Sequence, residues 1–207
     1  MTIPVLKEVN IDPYTDYDAL SSAASFLDTM QFSKVKTRYT KGTDWTALSL
    51  RGYSDDCLNI LKPGVLKSGV NESAKLQDTF LRKENALKPV NEILKKIPAE
   101  FERVRFMSLK AGTIIGKHTD KIDKDIGFEI GKIIRLHIPI RTHSKVEFSV
   151  WDKRDKITFL MVEGKYYYTD VTKPHSVVNN SKIDRIHLVV DCYCNAILKG
   201  LVLGDTR

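Results

Sequence analysis

Residues 112–121 read GTIIGKHTDK and place a histidine and an aspartate two positions apart, His118 and Asp120. On an extended chain residues i and i+2 point to the same side, so these two side chains converge while Thr119 faces away. A second histidine, His175, stands in DVTKPHSVVNNS, and Arg185 follows ten positions later in IDRIHLVVD. Two imidazoles and one carboxylate fill one triangular face of iron(II) and leave three positions open, enough for a bidentate ligand and dioxygen. Arg185 is far enough past His175 to lie on a following strand beside such a metal. A buried guanidinium there grips a carboxylate through two parallel hydrogen bonds.

Working outward, IIRLHIPI at 133–140 puts Arg135 and His137 on one face and Ile134, Leu136, Ile138 and Ile140 on the other. That division makes Arg135 and His137 pocket neighbours of Arg185. After Pro98 seven short segments read as strands: VRFMSLKAG, KIIRLHIPIRT, KVEFSVWD, KITFLMVEG, KYYYTDV, HSVVNNS and RIHLVVDCYC. Gly, Asp or Asn turns separate them, and so many strands in under a hundred residues predict a sandwich or barrel. The fold expected is mainly β with flanking helices, a double-stranded β-helix (cupin-like jelly roll) over about 101–195.

HTD, RLHIPI, PHSVVNNS and DRIHLVVD in this order resemble the aspartyl/asparaginyl β-hydroxylase family of iron(II)/2-oxoglutarate dioxygenases, which includes small bacterial proline hydroxylases. The resemblance covers roughly residues 101 to 192 well and the N-terminal half loosely. It implies that His118, Asp120 and His175 bind Fe(2+) and that Arg185 holds the distal carboxylate of 2-oxoglutarate. Arg135 and His137 would line the cosubstrate pocket. The implied reaction couples oxidative decarboxylation of 2-oxoglutarate by dioxygen to hydroxylation of an aliphatic carbon. Some vertebrate members carry Gly where Asp120 stands, so this chain is closer to the bacterial three-ligand members. Small bacterial relatives hydroxylate free amino acids and larger ones act on protein side chains; chain length favours a free amino acid or derivative. An Asp or Asn side chain in a protein is the alternative. A non-oxidative metal-binding cupin would not require Arg185, and an accessory protein that had lost catalysis should lack a ligand, whereas none is missing.

The N-terminal part, about 1–100, is expected to form a helical layer on that core within a single domain. Asp16 or Asp18 can cap a helix carrying Leu20, Ala23, Ala24, Leu27 and Met30 at helical spacing. DWTALSLRGY alternates as a strand whose Trp45, Ala47, Ser49 and Arg51 share a face. Trp45 and Arg51 are candidates for substrate contact, with a sheet-packing aromatic and a surface charge as the alternatives. From about Glu72 to Ile97 a stripe of Leu76, Phe80, Leu87, Val90, Ile93, Leu94 and Ile97 predicts two helices. Pro89 starts the second near Lys88, because Pro is tolerated in a first helical turn and not inside.

With 207 residues and 42% hydrophobic content the chain fits one globular domain with a sizeable core. The net charge of +7 comes from scattered lysines, and no nucleic-acid motif appears, so a solvated basic surface is expected. Cys57, Cys192 and Cys194 cannot all pair and are read as packing residues in a reducing compartment. No stretch has the form of a leader or the length of a membrane span, which predicts a cytoplasmic protein acting on a small molecule. The charged segment 121–132, with Gly127 and Gly131, is either a lid over bound substrate or a long hairpin connection. Asp191 is positioned to pair with Arg135 or Arg185, and a structural salt bridge is as consistent with the sequence. His187 shares the strand parity of Arg185 and stays unassigned.

Overall fold

The computed structural model describes residues 3–40, 44–63, 73–120 and 125–204. Its elements are β1 (Leu6–Glu8), α1 (Tyr17–Asp28), β2 (Ser33–Lys34), β3 (Trp45–Gly52), β4 (Gln77–Asp78), α2 (Lys88–Lys95), β5 (Phe101–Leu109), β6 (Ile114–His118), β7 (Ile133–Arg141), β8 (Val146–Asp152), β9 (Asp155–Phe159), β10 (Tyr167–Thr169), β11 (His175–Asn179), β12 (Arg185–Tyr193) and α3 (Ala196–Leu203). The larger sheet runs β1-β10-β7-β12-β5-β3-β2, with β4 on β3, and the smaller runs β6-β11-β8-β9. This is a double-stranded β-helix, and all seven segments expected after Pro98 are strands.

Strand alternation builds three layers. Ile134, Leu136, Ile138 and Ile140 of β7 and Ile186, Leu188 and Val190 of β12 turn to one side of the large sheet. There they pack with Leu20, Ala23, Ala24 and Leu27 of α1 and Val90, Ile93 and Leu94 of α2. Asp16 caps α1 by accepting from the Ala19 amide at 3.0 Å, and Pro89 lies in the first turn of α2. A second, smaller core lies between the sheets, where Leu6, Leu109 and Tyr167 meet Ile115, Phe148, Val150 and Val177. Cys57, Cys192 and Cys194 are buried free thiols, with Cys192 on the helix side of β12 and Cys194, just past its end, in the same core.

Three features depart from the sequence reading. The described part of the stripe before Pro89 is not an α-helix: Gln77–Asp78 pairs with β3, followed by two 3-10 turns, Phe80–Lys83 and Asn85–Leu87. The edge of β3 captures this segment, with the Thr79 amide donating to Leu50 O at 2.9 Å and its hydroxyl to Ser49 O at 2.9 Å. Phe80 is consequently 54% exposed. Secondly, β3, the strand read from DWTALSLRGY, does not stay in a layer outside the core but lies along β5 within the large sheet. Lastly, α3 follows β12, capped by Asn195 and ended by Gly204 in the left-handed region at φ 84°. No helix among the described residues is long and apolar enough to cross a membrane.

Removing the Phe106 ring, which has no exposed surface, should leave a cavity between sheet and helices. Phe106→Ala is expected to cost about 3–5 kcal/mol in urea denaturation. Phe80→Ala should stay within about 0.5 kcal/mol; equal losses would contradict this placement of the two rings.

Candidate metal centre and its carboxylate pocket

His118 ends β6 and His175 begins β11, and the two are direct partners in the antiparallel register. Their rings lie 4.2 Å apart between centroids. Asp120 stands two residues beyond β6, its amide donating to Val171 O at 3.0 Å. One ligand atom from each of His118, Asp120 and His175 falls within a group no wider than 4.8 Å. Asp120 Oδ1 is 3.7 Å from His118 Nε2 and 3.8 Å from His175 Nε2.

Ring orientation is fixed from behind. His118 Nδ1 lies 2.8 Å from Gly116 O, and His175 Nδ1 lies 3.0 Å from Lys173 O. A carbonyl only accepts, so Nδ1 carries the proton in both rings and each Nε2 lone pair is presented to the common point. Tyr39 stacks on His118 at 4.8 Å and 21°. Burial lowers the pKa of His175, against an upward pull from Asp120, and keeps the imidazole in the neutral form that ligates. Such a donor set suits a divalent transition metal held on one face.

Three adjacent strands turn polar side chains onto the opposite wall. On β12, Arg185, His187, Val189 and Asp191 alternate with the residues of the helix-side core. Asp191 is paired in register with Arg135, and Val189 with His137. Asp191 has no exposed surface and is the hub of a cationic cluster. Arg135 Nε donates to its Oδ1 at 2.6 Å, while Arg103 and Arg105 each donate to Oδ2 at 2.9 Å. Burial by itself would raise the Asp191 pKa, but Arg135, Arg105 and Arg103 hold it well below the usual carboxylate range. Arg135 also reaches forward, its Nη1 donating to Asp120 Oδ2 at 2.5 Å. The carboxylate of Asp120 is thus oriented with Oδ1 toward the two imidazoles.

Arg185 is only 2% exposed, and among the described residues no carboxylate lies within ion-pair distance of it. Its Nη2 meets His187 Nδ1 at 2.7 Å, and its Nε has no partner. Burial of this guanidinium pulls its pKa down to about 9. His137 is buried with neither ring nitrogen hydrogen bonded, and burial holds it neutral. Buried polar groups are ordinarily satisfied and buried charges paired, so a guanidinium with no counter-charge beside an imidazole with no hydrogen bond marks a place for a polar anion.

His118, Asp120, His175, Arg135, His137, Arg185 and Trp45 all border one cavity of about 280 Å³. Arg51 does not. The register of β3 shifts between Ser49 and Arg51, which turns Arg51 away to Phe101 O at 3.1 Å and Asp78 at 3.1 Å. Of the segment 121–132, residues 121–124 lie outside the described residues. The remainder is fastened by Phe128 in the core and by Gly131 N donating to Cys194 O at 2.9 Å. The reading of the sequence missed Arg103 and Arg105 altogether. Their i, i+2 spacing in FERVRFM, matching the parity of Asp191 with Arg185, was the available signal.

A double-stranded β-helix with His–Asp–His at its mouth is the architecture of iron(II)/2-oxoglutarate-dependent oxygenases, and solved structures of that class superpose on this chain. An oxidoreductase of the 2OG-Fe(II) oxygenase family from Burkholderia pseudomallei does so with a TM-score of 0.55 at 16% identity, over 86% of this chain and 82% of its own. A prolyl-4-hydroxylase from Pseudomonas putida gives 0.50 at 10% identity, over 93% and 94% of the two chains. A Trichoplax adhaerens prolyl hydroxylase, solved with a hypoxia inducible factor peptide fragment, gives 0.54 at 8% identity over 98% and 88%. No curated protein matches the chain by sequence. A family model described as aspartyl/asparaginyl beta-hydroxylase matches residues 15–194. The chain belongs to this family and is by class a 2-oxoglutarate-dependent oxygenase.

Asp191→Asn should cost about 3–5 kcal/mol, because it strips the buried Arg103 and Arg135 and the part-buried Arg105 of their shared counter-charge. A carboxyl whose folded pKa is depressed contributes stability above its unfolded value and loses it only as pH falls through the folded one. The gap between wild type and variant in urea denaturation should therefore persist down to about pH 4 and close only in stronger acid. A gap that vanishes near neutrality would show that Asp191 is not the charged hub.

Proposed function

We propose that the protein hydroxylates an aliphatic carbon of a small substrate, a free amino acid or a derivative of one. In this reading His118, Asp120 and His175 hold iron(II), and Arg185 takes the distal carboxylate of 2-oxoglutarate with His137 beside it. The observation that carries it is the unpaired buried Arg185 in the same cavity as three convergent ligand atoms. A guanidinium left without a carboxylate in the interior is costly, and a bound dicarboxylate relieves that cost. A non-oxidative cupin has no use for it.

Bound iron(II) with dioxygen supplies the oxidising chemistry, in which 2-oxoglutarate loses carbon dioxide to give succinate and an oxygen atom passes to the substrate. The protein's own residues supply geometry. Backbone carbonyls at Gly116 and Lys173 set the imidazole tautomers, and Arg135 fixes the Asp120 carboxylate. Such outer contacts raise metal affinity by holding ligands in place before the metal arrives. Phe148, Trp45 and Ile115 line the cavity with apolar surface and limit water around the reacting carbon. Its volume of about 280 Å³, part of it needed for 2-oxoglutarate, favours a small substrate over a folded protein segment. Asp120 would supply the third protein ligand, and its carboxylate would disfavour a halide at the same metal, so hydroxylation and not halogenation is the expected outcome.

Anaerobic titration should show one iron(II) per chain and a weak visible charge-transfer band when 2-oxoglutarate is added. His118→Ala and His175→Ala should abolish succinate formation while the protein stays folded; full turnover by both would refute the metal assignment. Arg185→Met should raise the 2-oxoglutarate requirement by an amount on the order of 2–5 kcal/mol, with a much smaller effect on the prime substrate. With a panel of amino acids in abundant chloride, a product heavier by one oxygen is expected; a chlorinated product would overturn the reading.

A further inference from the structure

A second opening lies on the other face of the large sheet, at the end where β3 and β12 begin and β5 and β7 finish. A row of register partners crosses that end: Thr46 of β3 stands opposite Ser108 of β5, Ser108 opposite Ile186 of β12, and Ile186 opposite Arg141 of β7. Ser108 has the strand parity of Val104 and Phe106, and Thr46 that of Leu48, so both hydroxyls stand on the helix side, where α1 ends at Asp28. Together with Leu27, Met30 and Phe32 the row borders a cleft of about 600 Å³ that shares no lining residue with the metal cavity.

The balance of donors and acceptors decides what this cleft can hold. Ser108 is only 7% exposed, yet among the described residues its hydroxyl has no hydrogen-bond partner, and neither has that of Thr46 beside it. A buried hydroxyl is ordinarily satisfied, so one that opens only into a cleft is free for a ligand. Both carboxylates at the rim are already engaged. Asp28 accepts from Arg141 Nη1 at 2.6 Å and Nη2 at 2.7 Å, and Asp184 accepts from Lys110 Nζ at 2.6 Å and the Ala111 amide at 3.0 Å. The cations keep N–H groups to spare, since Arg141 uses one more on Asp184 O at 2.8 Å and an ammonium has others beyond the one Lys110 gives to Asp184. Lys182, exposed at the rim, makes no ion pair among the described residues. The last carbonyls of α1 offer nothing against this excess of donors, because Phe26 O and Leu27 O accept from the Thr29 and Met30 amides.

We propose that this cleft is a second ligand site, which binds a small organic monocarboxylate. Its acid group meets Lys182 and the hydroxyls of Thr46 and Ser108, and its apolar body lies on Met30 and Phe32. Lys110, Arg141 and Lys182 stand against Asp28 and Asp184, so the lining carries one positive charge in excess, which matches one carboxylate. The apolar side chains match a hydrocarbon body, as in pockets where a few polar groups fix the orientation of a largely apolar ligand.

The test uses phenylacetate and, separately, phenylacetamide, titrated calorimetrically into protein held anaerobically with iron(II) and saturating 2-oxoglutarate. The acid should bind at least about fivefold more tightly than the amide. Lys182→Gln, at an exposed side chain, should remove that preference, and Ser108→Met, which fills the cleft, should abolish binding of both. Location is read by acetylating the lysines and following each by peptide mass. The acid should slow modification of Lys182 and Lys110 and leave the exposed Lys153 unchanged. No binding of the acid, equal affinity for acid and amide, a preference that survives Lys182→Gln, or unaltered binding by folded Ser108→Met each overturns the proposal. So does protection that falls instead on Lys36 and Lys62, the lysines that border the metal cavity, because the acid would then sit there. None of these readouts depends on turnover, so a failure of the oxygenase reading would leave the outcome at this cleft unchanged.

Discussion

A carboxylate with no exposed surface, shared by three guanidiniums, is the constraint on which the site depends. Asp191 stands on β12, between β7 and β5 in the large sheet, and receives Arg135 from one neighbour and Arg103 and Arg105 from the other. Remove its charge and three cations face one another in a medium of low dielectric. Keep it, and Arg135 is held so that its remaining reach falls on Asp120. The orientation of the candidate metal carboxylate is therefore set by a residue that never touches the metal. Supports of this kind let a ligand constellation exist before its metal arrives.

Alternation along β-strands makes this possible without loss of core. The same strands that offer Arg103, Arg105, Arg135, His137 and Arg185 to the cavity, with Asp191 buried behind them, offer Val104, Phe106, Ile134, Leu136, Ile186 and Val190 to the helices. The apolar face recovers hydrophobic free energy, and the polar face carries the electrostatic cost of a site. Strands at the centre of a sheet are also the positions least free to move, since each is hydrogen bonded on both sides. Charges whose geometry matters are thereby placed on rigid backbone, with His118, Asp120 and His175 facing them from the smaller sheet.

Much of this was legible in the sequence because it is periodic. The parity of Arg135 with His137 follows from the pleat alone, and both border the cavity; Asp120 lies beyond the end of β6 and Thr119 borders the cavity too, so the nearness of Asp120 to His118 is not set by the pleat. The N-cap at Asp16 and the start of α2 at Pro89 were equally readable, since both are local signals. What escaped was set by distant partners. The stripe through Phe80 had helical spacing, yet pairing of Gln77–Asp78 with β3 overrode it. Arg51 had the parity of Trp45 until a bulge reversed it. The arginines of β5 read as ordinary charges because their partner, Asp191, is 88 and 86 residues away along the chain. β1 and α3, of three and eight residues, are too short for a periodic signal to rise above composition.

The guanidiniums that border the cavity differ in how the fold compensates them. Arg103, Arg105 and Arg135 converge on a built-in counter-charge, so their cluster is stable in the protein by itself. Arg185 has instead a neutral imidazole as its near neighbour, which orients one Nη2–H and neutralises nothing. Its cost is carried by the fold and is relieved only by an anion from outside. A site that keeps one charge compensated and another exposed to the interior field will draw the most strongly anionic end of a ligand to the uncompensated one. An anion entering the cavity therefore meets at Arg185 a guanidinium whose charge no described carboxylate offsets, whereas at Arg103 and Arg105 Asp191 has already softened the field.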